Sequence, residues 1–115
     1  MREIKFRAWN VNTKRMADWE EVENEYGFKY LLGNNITIPM QYTGLKDKNG
    51  VEIYESDVVK FIFIGREEGT SEVKWEYGEW NVTDFSEKVR ISDNIHGAAD
   101  IEVIGNIYQN PELLI

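Results

Sequence analysis

The chain of 115 residues has no cysteine, one histidine, two prolines and no long apolar run. Each scarcity removes a class of function. Without cysteine there is no disulfide framework and no thiolate nucleophile or ligand. This fits a reducing compartment. With His96 as the sole histidine, a Ser/His/Asp relay has one available base, and no nucleophile-elbow motif accompanies it. Beside Gly97, His96 reads as a solvated turn residue. A structural zinc site wants four ligands rich in Cys and His, so zinc is nearly excluded and no metal is expected. No apolar stretch approaches a membrane span, and Met1-Arg2-Glu3-Ile4-Lys5 interrupts its apolar residues with charge, unlike a signal peptide. The expectation is a cytoplasmic protein with no membrane partner.

What is present describes one folded domain over residues 1–115. A chain of this size buries about two-thirds of its unfolded surface, enough for one core. Its 42% hydrophobic and 13% aromatic content argues against disorder despite a net charge of -8. The charge is uneven. Residues 1–15 hold Arg2, Lys5, Arg7, Lys14 and Arg15 against Glu3, a balance of +4; the remainder holds eight basic and twenty acidic groups, a balance of -12. The plain reading is a solubilising surface. The sharper one is a basic strand meeting an acidic partner surface, or a self-complementary oligomer using both signs.

Residues 3–9 alternate, with Ile4, Phe6 and Ala8 on one face and Glu3, Lys5, Arg7 and Trp9 on the other, which predicts a strand. Asn10–Lys14 is turn chemistry, and a return through Met16 to Trp19 would close an N-terminal hairpin. Residues 20–35 are ambiguous, with a short strand through Tyr26, Phe28 and Tyr30 as one option. Pro39 confines the Ile36–Ile38 run to an edge or strand end. Asn49-Gly50 is a strong hairpin signal because both residues accept positive φ. Val58–Ile64 reads as a strand, Gly65–Gly69 as a loop, Tyr77-Gly78 as a turn between Val73/Trp75 and Trp80/Val82, residues 86–100 as a polar loop, and Ile101–Tyr108 as the last strand. Turns at strand-length spacing predict a mainly β fold (with α+β as the variant), a small barrel-like antiparallel sheet.

No catalytic constellation emerges. Asp47-Lys48-Asn49-Gly50 superficially matches a calcium loop, but aligning Gly50 with that loop's glycine puts Leu45 and Ser56 where carboxylates are needed. Glu52 and Asp57 form a carboxylate pair of the kind used in acid–base work, yet twenty-one acidic residues produce such pairs by chance. No phosphate-cradling glycine loop is present. No enzyme activity, cofactor or small-molecule substrate is therefore expected.

Three segments resemble the YopX family, named for a protein of a temperate Bacillus phage. They are Arg2-Glu3-Ile4-Lys5-Phe6-Arg7-Ala8-Trp9; Gln41 to Gly50 continuing through Ile53-Tyr54-Glu55 and Asp57-Val58-Val59; and Glu102 to Tyr108 with Asn110-Pro111-Glu112-Leu113. Asn10 stands where the family pattern suggests Asp, and Ser56 where it suggests Gly. The resemblance implies a predominantly β, barrel-like fold and a phage or prophage protein of low-GC Gram-positive bacteria, acting in the host cytoplasm. It implies no biochemical activity. Gly44, Gly50, Gly105, Asn106 and Asn110 then read as turn or close-approach positions, and Tyr42, Tyr54 and Tyr108 as packed aromatics.

The leading expectation is a non-enzymatic accessory module that binds a protein or forms a homo-oligomer, with Arg2, Lys5, Arg7 and Trp9 as the interface candidates. The alternatives are a nucleic-acid-binding barrel using the basic first strand, disfavoured by the acidic remainder, and an acidic DNA mimic, whose carboxylate rows Lys46, Lys48, Lys74 and Lys88 would interrupt.

Overall fold

A computed structural model describes residues 4–26, 36–63, 68–76, 78–84, 87–90 and 98–114. Ten strands dominate them. β1 (Phe6–Asn10) and β2 (Arg15–Ala17) form the expected N-terminal hairpin. Asn10 closes it: its side-chain oxygen accepts the amides of Asn12 and Thr13, each at 2.9 Å, and its carbonyl accepts that of Lys14. The chain then makes one helical turn, α1 (Trp19–Glu21), capped by Asp18, whose carboxylate accepts the Glu21 amide at 2.9 Å. A wider turn over Val22–Tyr26 follows. The ambiguous stretch therefore begins as helix, and the strand considered through Tyr30 lies mostly outside the described residues.

β3 (Thr37–Lys46), β4 (Glu52–Tyr54) and β5 (Asp57–Phe63) come next. β3 stands between β1 and β4 in a sheet ordered β2-β1-β3-β4. Pro39 is inside this long strand, paired with Ala8 of β1, while the register with β4 begins only at Tyr42. On that flank Pro39 has no ladder to interrupt, so the edge rule holds locally. β6 (Glu68–Glu72), β7 (Lys74–Glu76), β8 (Glu79–Asp84), β9 (Glu87–Arg90) and β10 (Ala98–Asn106) complete the set as two further sheets, β10-β5-β6 and β7-β8-β9. The Thr83 amide donates to Ser71 Oγ at 3.0 Å and joins them. The whole is a curled antiparallel sheet forming a half-barrel. The polar loop expected over 86–100 is corrected at both ends, since β9 and the start of β10 occupy them. The charge of Glu87–Arg90 and the small residues Ala98 and Ala99 concealed these strands. His96 lies outside the described residues. A single 3-10 turn (Pro111–Leu114) follows β10, and among the described residues no helix is long and apolar enough to cross a membrane.

The core is Ile53, Val59, Phe61, Val73, Trp80, Val82 and Ile101, with Leu45 and Val103 packed against it. A smaller cluster of Ala8, Ala17 and Val22 takes Phe6 and Trp19. β1 is covered on both faces rather than one: Ala8 and Trp9 are both buried, whereas Ile4, placed on the buried face by alternation, is 69% exposed just ahead of the strand. Gly105 permits the closest packing, because a Cβ there would lie 2.5 Å from Asn110 Oδ1 and 2.8 Å from Leu113 Cδ1.

The two-residue link from β4 to β5 holds a buried Ser56 at φ 72°, a left-handed conformation that disfavours side chains. Its backbone is fully engaged, with its amide donating to Val73 O at 2.9 Å and its carbonyl accepting from Ile107 at 3.1 Å. Replacing Ser56 by Gly keeps both bonds and relieves about 1 kcal/mol of strain, partly offset by the freer unfolded chain. Ser56→Gly is expected to be neutral to about 1 kcal/mol stabilising, with Tm unchanged or raised by roughly 4 °C. A clear fall in Tm would show that the hydroxyl outweighs the strain.

Candidate functional site

Alternation along β1 sends Lys5, Arg7 and Trp9 to one side, and each meets a partner brought by another element. The Lys5 ammonium pairs with Glu52 of β4 and lies 4.8 Å from the Tyr42 ring centroid. Arg7 donates to Asp57 Oδ1 at 2.6 Å, reaches the Glu55 carbonyl at 3.5 Å, and lies 4.7 Å from the Tyr54 ring centroid. Trp9 stacks on Tyr108, with centroids 5.8 Å apart and planes 20° apart. Tyr42 and Tyr54 are register partners with rings 5.4 Å apart. The result is a row of cations on aromatic faces, each with its carboxylate beside it.

The candidate interface residues are thus turned toward the chain's own strands. Trp9 is 7% exposed, and Lys5 and Arg7 are spent on internal pairs. The reason is long-range pairing: β3 lies between β1 and β4, and Glu52, Tyr54 and Asp57 reach the side of β1 that holds Lys5 and Arg7. Arg2 lies outside the described residues. Glu52 and Asp57, read as a chance carboxylate pair, are brought close to β1 but each to its own cation.

Among the described residues Asp57 is the most buried charge, at 1% exposure. Burial pushes its carboxyl above the ordinary range against the pull of Arg7 and of the Tyr54 amide, which donates to Oδ2 at 2.8 Å. Burial and the neighbouring Glu52 push the Tyr54 hydroxyl to about 12, against Lys5 and Arg7. Arg7 Nε is buried with no hydrogen-bond partner among the described residues. Both Asp57 oxygens are engaged, so the cluster acts on strand placement: it fixes β1, β4 and β5 together.

Asp47 is a second organiser, one that the sequence reading passed over as part of a failed calcium loop. Its Oδ1 accepts the amides of Asn49 (2.8 Å) and Val51 (2.9 Å), shaping the turn in which Gly50 takes φ 84°, and its Oδ2 accepts Val103 of β10 at 2.9 Å. Burial alone would raise its carboxyl; the three amides and Lys48 more than reverse this and hold it below the ordinary 3.8. The available signal was an Asp two residues before Asn-Gly, an Asx-turn pattern. Asn106 and Asn110 do close the last turn with their own side chains, Asn106 Oδ1 accepting from Tyr108 and Gln109 and Asn110 Oδ1 from Asn106. Among the described residues no group of three or more His, Cys, Asp or Glu converges as a metal site.

The family model for YopX protein matches residues 24–115. The chain belongs to the YopX family. The central and C-terminal motifs fall inside that match, and residues 2–9 precede it. Protein EF1440 from Enterococcus faecalis has a similar structure, with 27% identity, full coverage of both chains and a TM-score of 0.72. YopX from Bacillus subtilis, 23% identical, shares the fold over 96% of this chain and 98% of its own, with a TM-score of 0.65. Among curated proteins nothing matches. The motif residues Tyr42, Gly50, Tyr54, Asp57, Gly105 and Asn106 of this YopX-family protein are those just described as turn, ring or strand-joining positions.

Two consequences are measurable. Arg7→Met strands the buried Asp57 carboxylate and is expected to cost about 3–5 kcal/mol, read as a lowered urea midpoint; adding Asp57→Asn should recover much of that loss. Additive costs in the double variant would show that the pair is not coupled. Asp47→Asn leaves the Val103 amide without an anionic acceptor and should cost about 1.5–3 kcal/mol at neutral pH. Because the folded Asp47 value is depressed, its stabilisation is present above pH 3.8 and lost as pH falls through the lower folded value. The gap between parent and Asp47→Asn should therefore narrow below about pH 3.8, and a constant gap would sink the assignment.

Proposed function

We propose that this YopX-family protein is a phage- or prophage-encoded accessory protein of the host cytoplasm that works by binding another protein and not by catalysis. The observation that carries the reading is the fate of the N-terminal cations. Lys5 pairs with Glu52, Arg7 with Asp57 and Arg15 with Glu21. The +4 segment is thereby neutralised largely from within, and what faces outward has the acidic balance of the rest of the chain. Nucleic-acid affinity comes chiefly from phosphate neutralisation, so the barrel alternative loses the strand it depended on. Self-assembly by opposite charge loses the same strand. Exposed apolar side chains remain at Val51, Ile62, Trp75 and Leu114, and Trp is a favoured interface anchor. The family resemblance supports the phage or prophage origin.

Anisotropy titration with labelled single-stranded and duplex DNA at about 50 and 200 mM salt is expected to give no affinity tighter than the roughly 10⁻⁴–10⁻⁶ M of non-specific contacts. Sub-micromolar, sequence-dependent binding at the higher salt would overturn the reading in favour of a nucleic-acid barrel.

A further inference from the structure

Asn49-Gly50 carries a chemistry that its role as a turn does not use. An asparagine can modify itself when the amide nitrogen of the next residue attacks its side-chain carbonyl carbon. A C–N bond forms and closes a succinimide ring, the side-chain nitrogen takes up the proton and leaves as ammonia, and water then opens the ring to aspartate or isoaspartate. No oxidant, cofactor or second enzyme enters the balance. Glycine favours the attack because it has no Cβ beside the nucleophile. Of the ten asparagines, Asn49 alone precedes a glycine. Both residues are exposed, and nothing lies within 4 Å of where a Gly50 Cβ would stand, so water and base have access.

What opposes the reaction is Asp47. Its carbonyl accepts the Gly50 amide at 3.0 Å, and its Oδ1 accepts the amides of Asn49 and Val51 on either side. Attack requires the Gly50 nitrogen to give up its proton and turn toward Asn49 Cγ, and both changes break the bond to Asp47. The leaving nitrogen is held as well, since Asn49 Nδ2 lies 3.5 Å from Glu102 Oε2. The nucleophile is therefore released when the turn opens locally. The products do not fit the closed turn. An isoaspartyl link adds a methylene to the main chain between the two amides that share Asp47 Oδ1, so they no longer converge, and either product sets a carboxylate where an amide faced Glu102. The bond from Asp47 to Val103 of β10 then loses its frame.

We propose that Asn49 is a self-modification site, that Gly50 supplies the nucleophile, and that Asp47 is the positioning residue that holds the reaction back, so that one residue both ties β10 to the turn and protects the turn from its own chemistry.

The test incubates the full chain in mildly alkaline buffer, folded and in guanidinium, and follows the mass gain and isoaspartate at Asn49 by peptide mapping. Asp47→Ala, Arg7→Met and Gly50→Ala are compared after their folding is checked by circular dichroism. Folded parent is expected to react at least about tenfold more slowly than denatured parent, and folded Asp47→Ala at least about fivefold faster than folded parent, because the turn opens more often. Arg7→Met, weakened at the Asp57 junction instead, should stay near the parent rate while folded, and the denatured forms of parent, Asp47→Ala and Arg7→Met should react alike. In guanidinium Gly50→Ala should react at least about tenfold more slowly, since a Cβ then crowds the nucleophile. Equal rates in folded parent and Asp47→Ala would overturn the proposal. An equal rise in Arg7→Met would also do so, by assigning the protection to global stability, and so would an unmodified Asn49 in denatured parent. If Asp47→Ala does not fold, Asp47→Asn is held to the same comparison with parent and Arg7→Met.

Discussion

The buried carboxylate of Asp57 is the point on which the arrangement of sheets depends. One oxygen takes Arg7 of β1, the other takes the Tyr54 amide of β4, and its backbone carbonyl accepts the Val73 amide at the bend between β6 and β7. Its neighbour Ser56 adds the Val73 carbonyl and the Ile107 amide. Two residues thus connect the first sheet, the second sheet, the entry to the third and the C-terminal turn. An unpaired carboxylate at 1% exposure would be expensive, so the charge demands Arg7, and Arg7 in turn holds β1 against strands about 50 residues away in the chain.

This explains which parts of the fold were legible in the sequence. Features set by nearest neighbours could be read: the hairpin closed by Asn10, the Asn49-Gly50 turn, the strand through Val58 and Val59, the Gly78 turn and the Asn106/Asn110 knot. Each is fixed by residues within a few positions, where turn chemistry and alternation operate. Features set by long-range contact could not. Alternation correctly put Lys5, Arg7 and Trp9 on one face of β1, but nothing local announces that β4, β5 and Tyr108 will cover that face. β9 was missed for a related reason, since Glu87-Lys88-Val89-Arg90 has too few apolar residues to look like a strand and owes its state to pairing with β8.

The same gap separates a count of charge from a charged surface. Summed along the sequence, the first fifteen residues look like a basic patch. In the folded chain three of those cations, Lys5, Arg7 and Arg15, lie beside Glu52, Asp57 and Glu21, acids drawn from other segments. Cations that sit on aromatic rings beside a carboxylate are also dehydrated, and their field is cancelled within a few ångströms. The uncancelled remainder is acidic, and exposed apolar side chains such as Val51 and Trp75 lie with it on the surface of the described residues.

Asp47 and Asp57 show how one residue type acquires opposite behaviour in one small fold. Both are buried. Asp47 receives three backbone amides, a set of donors that favours the anion enough to reverse the effect of burial; Asp57 receives one amide and one guanidinium, and burial prevails. The signs then diverge with pH. A depressed folded value makes the anion a source of stability that disappears in acid, whereas a raised value makes the anion a cost that protonation relieves as pH falls. As pH falls Asp57 takes up its proton before Asp47, and the Arg7–Asp57 junction sheds a burial cost together with its attraction to Arg7; the tie of β10 to the Asn49-Gly50 turn through Asp47 is lost at lower pH, and stability goes with it. The turn that the sequence announces most clearly is thus one whose hold on β10 weakens in acid, because its geometry is written in hydrogen bonds to a charge.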